Sequence, residues 1–378
     1  MDLDRELRET MQRRLADPPP GEKTWGEIAM KAQSRYVRTT VVGTVAAVAV
    51  LALVIAVGAP MLRGDLAEVV APPTPAKVVQ TVDLGEQNAD GDIVWDGSNF
   101  VVGIGGGRSA LAGALIDPDA SIPRKIDGLS VHAEAVVADS AGGRSYFFGF
   151  AGIKVVEAGT IVATFPGYYA SPAFDSSTGR LYALETMTGV GQSSSARLVL
   201  INTQTGTVER RSEPVEEQGI FTLVASGGKL VLADRGPRPF RVFDGQTLEE
   251  TGFAPTNGGP EGGPLDLAVS PSGNRAVVLI DEETPVLRLY DVAKPVAATD
   301  ITLGVADATG LAYDAKGERL FTVSGENLLV IDAASGKVTQ TLPLFRGTIV
   351  GASLAYDGVN NRLGVLAKDA GRVLIVKI

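Results

Sequence analysis

From residue 77 onward one short pattern recurs: an apolar pair, an Asp or Ser, a small polar turn and a second apolar run. It reads Val94-Trp95-Asp96-Gly97, Val137-Ala138-Asp139-Ser140, Ala173-Phe174-Asp175-Ser176 and Val224-Ala225-Ser226-Gly227. It continues as Ala268-Val269-Ser270-Pro271, Ala312-Tyr313-Asp314-Ala315 and Ala355-Tyr356-Asp357-Gly358. The third residues stand 43, 36, 51, 44, 44 and 43 positions apart. That is the length of a four-stranded propeller blade. A unit this small cannot bury its own apolar face, so neighbouring copies must stack. The copies predict an all-β, seven-bladed propeller over residues 77–378.

A second repeat supplies the other half of each blade. Leu198-Val199-Leu200-Ile201-Asn202, Phe240-Arg241-Val242-Phe243-Asp244, Leu287-Arg288-Leu289-Tyr290-Asp291 and Leu328-Leu329-Val330-Ile331-Asp332 are its examples. The Asp and Asn residues read as caps of turn backbone, not as a carboxylate array. Val373 to Ile378 reads as a third strand, which leaves the last blade without an outer one. Lys77-Val78-Val79-Gln80-Thr81-Val82-Asp83-Leu84 matches Lys337-Val338-Thr339-Gln340-Thr341-Leu342-Pro343-Leu344, an outer strand, at five of eight positions. The segment from Lys77 is therefore expected to complete blade seven, with Val78 and Val82, or Val79 and Thr81, covering its apolar face.

Composition removes most chemistries. There is no Cys, hence no disulfide, thiolate zinc site, iron–sulfur cluster or thiol nucleophile, and one His, His132, cannot serve a site needing two imidazoles. A net charge of −10 has the wrong sign for binding nucleic acid by charge. Gly103 to Arg108 has no Gly-Lys-Ser/Thr and no following helix, so it reads as a loop, not a phosphate cradle. His132 near Glu134 is the one acid–base pairing for a hydrolase, and no Gly-x-Ser-x-Gly elbow accompanies it. No cofactor is expected. Calcium is the metal that oxygen ligands alone could hold, which leaves a lactonase-like hydrolase as the enzymatic alternative.

Val41 to Ala59 is a run of 19 residues without a charge, long enough to cross a bilayer as a helix. Forty residues precede it and Pro60 follows Ala59, which favours an uncleaved anchor over a signal peptide. Lys31, Arg35 and Arg38 lie before the span and Arg63 alone after it, so the N-terminus is expected in the cytoplasm and the repeats outside. The chain thus divides into a cytoplasmic tail (1–40), a transmembrane helix (41–62), a Pro-rich spacer (63–76) and the propeller. In the tail, Leu3, Leu7, Met11 and Leu15 recur at spacing four, the stripe of a short amphipathic helix that could dock a cytoplasmic protein.

Pro264-Leu265-Asp266-Leu267-Ala268-Val269-Ser270-Pro271-Ser272-Gly273, and Leu329-Val330-Ile331-Asp332 with Ser335-Gly336-Lys337-Val338, resemble the repeats of YVTN-type seven-bladed propellers. The resemblance implies a bacterial or archaeal, often surface-exposed propeller, mostly without assigned catalysis. Residues 1–40 resemble the short N-terminal regions of actinobacterial membrane proteins associated with sigma factors, without the His-x3-Cys-x2-Cys motif of zinc-containing anti-sigma domains. That likeness implies a regulatory alternative acting through the tail. Propellers bind partners on the face carrying the loops between blades and between second and third strands. There Arg108, Tyr168, Tyr169, Arg235 and Arg346 are the candidate contacts of a non-catalytic binding or sensing module, its partner a protein or an envelope ligand.

Overall fold

Runs such as Ala276-Val277-Val278-Leu279-Ile280 do not alternate, and in the computed structural model their strand is buried on both faces. A blade sandwiched between two neighbours has no water-facing side for its middle strands. Only outer strands, such as Val338–Pro343, keep an alternating exposed edge. The structure describes residues 75–378 apart from 86–89, 106–111, 130–132, 150–151, 188–194, 217–221, 235–237, 255–263, 281, 296–297, 306, 315, 346, 348 and 350. The tail, the 41–62 span and nearly all of the spacer lie outside the described residues. Among the described residues there is no helix.

The described residues form seven four-stranded antiparallel sheets. Their inner strands are Asp90–Trp95, Ala133–Asp139, Tyr169–Asp175, Thr222–Ser226, Pro264–Val269, Thr309–Tyr313 and Ala352–Asp357. Each packs beside the next and the seventh packs beside the first, which closes the ring. The apolar core is correspondingly divided into seven clusters, each shared by two successive blades. This is a seven-bladed β-propeller.

Blade seven is completed by the strand Lys77–Asp83, which pairs antiparallel with Arg372–Lys377. The pairing steps over Val79 between Val78 and Gln80. That bulge changes which side the strand presents. Val78 packs into the cluster shared with blade six, and Val82, fully buried, into the cluster shared with blade one. So Val78 and Val82 do not share a face, as a regular strand would require, and Val79 is left 45% exposed. Polar contacts follow the same division. Ala76 N–H donates to Gln340 Oε1 of blade six (3.3 Å), and Gln80 Nε2 donates to the Ala120 carbonyl on the blade-one side.

The recurring acidic residues hold turns. Asp96 Oδ1 accepts the N–H groups of Ser98 (2.9 Å) and Asn99 (2.7 Å), and Asp357 Oδ1 those of Val359 (3.0 Å) and Asn360 (3.1 Å). Asp244 and Asp332 cap the later turn in the same way. Asp175 does more: Oδ1 accepts Ser177 N–H at 3.0 Å while Oδ2 accepts Gly228 N–H of the next blade at 2.7 Å. Where the repeat has Ser, Ser226 Oγ donates across to the carbonyl of Ser270 at 3.0 Å. These residues tie one blade's turn to the next.

Candidate functional site

The beginnings of all seven inner strands frame a cavity of about 590 Å³ on the axis of the ring. That size is in the range of small-molecule pockets. Its wall is mostly backbone and apolar side chain, and among the described residues the charged groups facing it are Asp92, Asp266 and Lys368. Lys368 follows the second strand of blade seven, Arg362–Ala367, so its loop joins second and third strands. Its Nζ lies 3.8 Å from Asp92 Oδ1, an ion pair across the junction of blades seven and one. Ser353, on the same junction, accepts the N–H of Ile93 at 3.3 Å.

Backbone irregularity shapes this wall. Register shifts interrupt the pairing of the inner strands of blades two, three, five and six near their beginnings. Bulges re-aim side chains and release backbone groups from the ladder. In blade five the shift at Leu265 turns two successive residues, Leu265 and Asp266, to the cavity, leaving Leu265 43% exposed. In blade six the shift spans Gly310 and Leu311, with Gly310 at φ +73° and backbone of blade seven 3.0 Å from where a Cβ would sit. Only glycine fits such a position without strain. Leu311 N–H, freed from the ladder, donates to Asp266 Oδ2 at 2.7 Å. Ser171, at the blade-three shift, sits at φ +43°, a conformation rarely adopted by a residue with a side chain.

Asp266 is the electrostatic centre of the pocket. Its Oδ1 accepts Leu267 N–H at 2.8 Å and its Oδ2 the Leu311 N–H, so the carboxyl bridges blades five and six. It lies deep in the ring yet keeps part of its surface open to the cavity. Burial pushes its pKa up to about 6; the Asp92 carboxylate adds to the rise, while the two N–H donors and Lys368 oppose it.

The candidate contacts from the sequence fare differently. Tyr168 is 44% exposed and is not among the residues that line the cavity, whereas Tyr169, at the first position of its inner strand, lines it while being only 8% exposed. The Tyr169 ring packs against Gly167 and belongs to the core between blades two and three. Burial, with the nearby Glu185 carboxylate, raises its phenol pKa, and Glu185 is itself clamped by Arg211 Nε (2.8 Å) and Nη2 (3.0 Å). Arg108, Arg235, Arg346 and His132 lie outside the described residues. Asp92, Asp266, Lys368 and Leu265 are the wall residues that sequence reading passed over. Their one signal was an Asp at the second position after Pro264, in an otherwise apolar inner strand.

Fold and cavity together define the class: a propeller whose described residues frame a small-molecule-sized space at the loop face, an architecture suited to an interaction module. No protein-family model matches the chain, and a search among curated proteins finds no match. Among the described residues no three His, Asp or Glu side chains come together in a metal-binding group.

Proposed function

We propose that the chain is a single-pass membrane protein whose propeller acts outside the membrane as a binding or sensing module, its ligand seated in the axial cavity. The observation that carries this reading is the cavity itself, framed by every blade and lined by polar and apolar surface in nearly equal share. The uncharged run 41–59, with Lys31, Arg35 and Arg38 on its N-terminal side, supports the anchor and its orientation. The likeness of blades five and six to YVTN-type repeats supports a surface location. Residues 1–40 would then report to a cytoplasmic partner through the Leu3–Leu15 stripe. A hydrolase using calcium is less well supported: the described cavity offers two carboxylates, and one of them is paired with Lys368.

Protease added to intact spheroplasts tests this reading. It should remove the propeller and leave a fragment containing residues 1–40. A propeller that stays protected until the membrane is opened would overturn both the orientation and the location.

A further inference from the structure

Three charged side chains face the cavity among the described residues, and they are not equivalent. Asp92 and Lys368 neutralise one another across the junction of blades seven and one. Asp266 stands opposite, in blade five, held only by the backbone N–H groups of Leu267 and Leu311; no described cation forms an ion pair with it. A carboxylate removed from bulk water without a counter-charge is costly, and a ligand that brings one recovers that cost. An anionic ligand would face Asp266 and would find Lys368, the one described cation of the wall, already paired with Asp92. A neutral ligand would displace water from the carboxylate and give no charge in return.

The rest of the wall states what must accompany the charge. Leu265, turned into the channel by the bulge beside Asp266, presents an exposed apolar side chain, with Leu223 and Val224 of blade four adjoining on the same wall. Thr309 lines the pocket from blade six, and its hydroxyl oxygen has no hydrogen-bond partner among the described residues.

We infer that the axial cavity is a site for a small organic cation, an amine carrying an apolar body, with Asp266 as its counter-ion and Leu265 against the apolar part. This rests on the reading of the cavity as a ligand site and adds the class of ligand. An amine here donates to the lone pairs of Asp266 that Leu267 and Leu311 leave over, and Lys368 opposes it from across the channel. The Lys368–Asp92 pair keeps that opposing charge partly neutralised.

Calorimetric titration of the full-length chain with three probes of one size tests the inference: phenethylammonium, neutral 2-phenylethanol and anionic phenylacetate. The cation should bind at least about tenfold more tightly than either of the others. Asp266→Asn should weaken it by about tenfold or more, and Lys368→Met should strengthen it several-fold. The second variant leaves both hydrogen bonds of Asp266 in place, so it stays informative if the first folds poorly. Equal or tighter binding of the alcohol or the acid, abolished by Leu265→Trp, would overturn the cationic class and leave the cavity as a ligand site. Binding of none of the three would overturn this inference. Whether the propeller is exported and anchored is decided separately, by the spheroplast digestion.

Discussion

Asp266 shows how a single side chain ties the fold to the site. Its carboxyl joins two blades through backbone N–H groups and at the same time faces the cavity with no described cation in ion-pair contact. Its folded pKa, about 6, exceeds the ordinary 3.8, so the native state binds the proton more readily than the unfolded chain. Stability contributed by this group is therefore complete below about pH 4 and is lost as pH rises through about 6, a difference of about 3 kcal/mol at most. Urea unfolding of the full chain and of Asp266→Asn should show it. The advantage of the wild type over the variant should shrink between pH 4 and pH 7, with Asp92 and Lys368 unchanged in both. Parallel pH profiles would remove Asp266 from the account. The turn-capping aspartates stand in contrast: Asp175, less exposed than Asp266, has three donors and bridges two blades without facing the cavity.

Among the elements, the strand Lys77–Asp83 carries the most, because one bulge lets it serve two blade interfaces. Val82→Ala should cost about 2 kcal/mol, since its side chain is fully buried between blades seven and one. Val79→Ala should change stability by less than about 0.5 kcal/mol, because the bulged residue faces water. Denaturant midpoints of the two variants decide it, and a larger loss at Val79 would mean a regular strand with the opposite side buried. This strand also marks where the sequence stops being legible. Its likeness to Lys337–Leu344 identifies it as an outer strand, because the same edge environment selects the same alternation. The bulge leaves no such mark, so Val78 and Val82 look like neighbours on one face until the register is seen. The channel hides its residues for the same reason. Shifts at Leu265 and at Gly310–Leu311 decide which side chains turn inward, and no composition rule announces them. Asp92, Asp266 and Lys368 are far apart in the chain and meet only because the ring closes. Tyr169 was legible as a residue at the loop face, but its ring turns to the core beside Gly167.

At the scale of the whole molecule, seven copies of a turn-and-strand pattern state the blade count because each copy needs the same Asp or Ser at the same turn. The copies are not equally supported: the cluster shared by blades one and two is small, and blade one ends in an outer strand of two residues, Arg124–Lys125. The closure between blades seven and one lies next to this thin region. It also positions the Asp92–Lys368 pair, so the cavity depends on the ring being shut. Comparison of two shortened chains, one beginning at Pro75 and the other at Asp90, tests the closed ring most directly. Melting followed by circular dichroism, with size-exclusion chromatography, is the measurement. The chain from Pro75 should be monomeric and melt cooperatively. The chain from Asp90 loses the partner of Arg372–Lys377, exposes a paired edge and uncovers Val373 and Val376. It should aggregate or melt far lower. Equal melting temperatures and equal elution would contradict the account, showing that residues 77–83 do not close the ring.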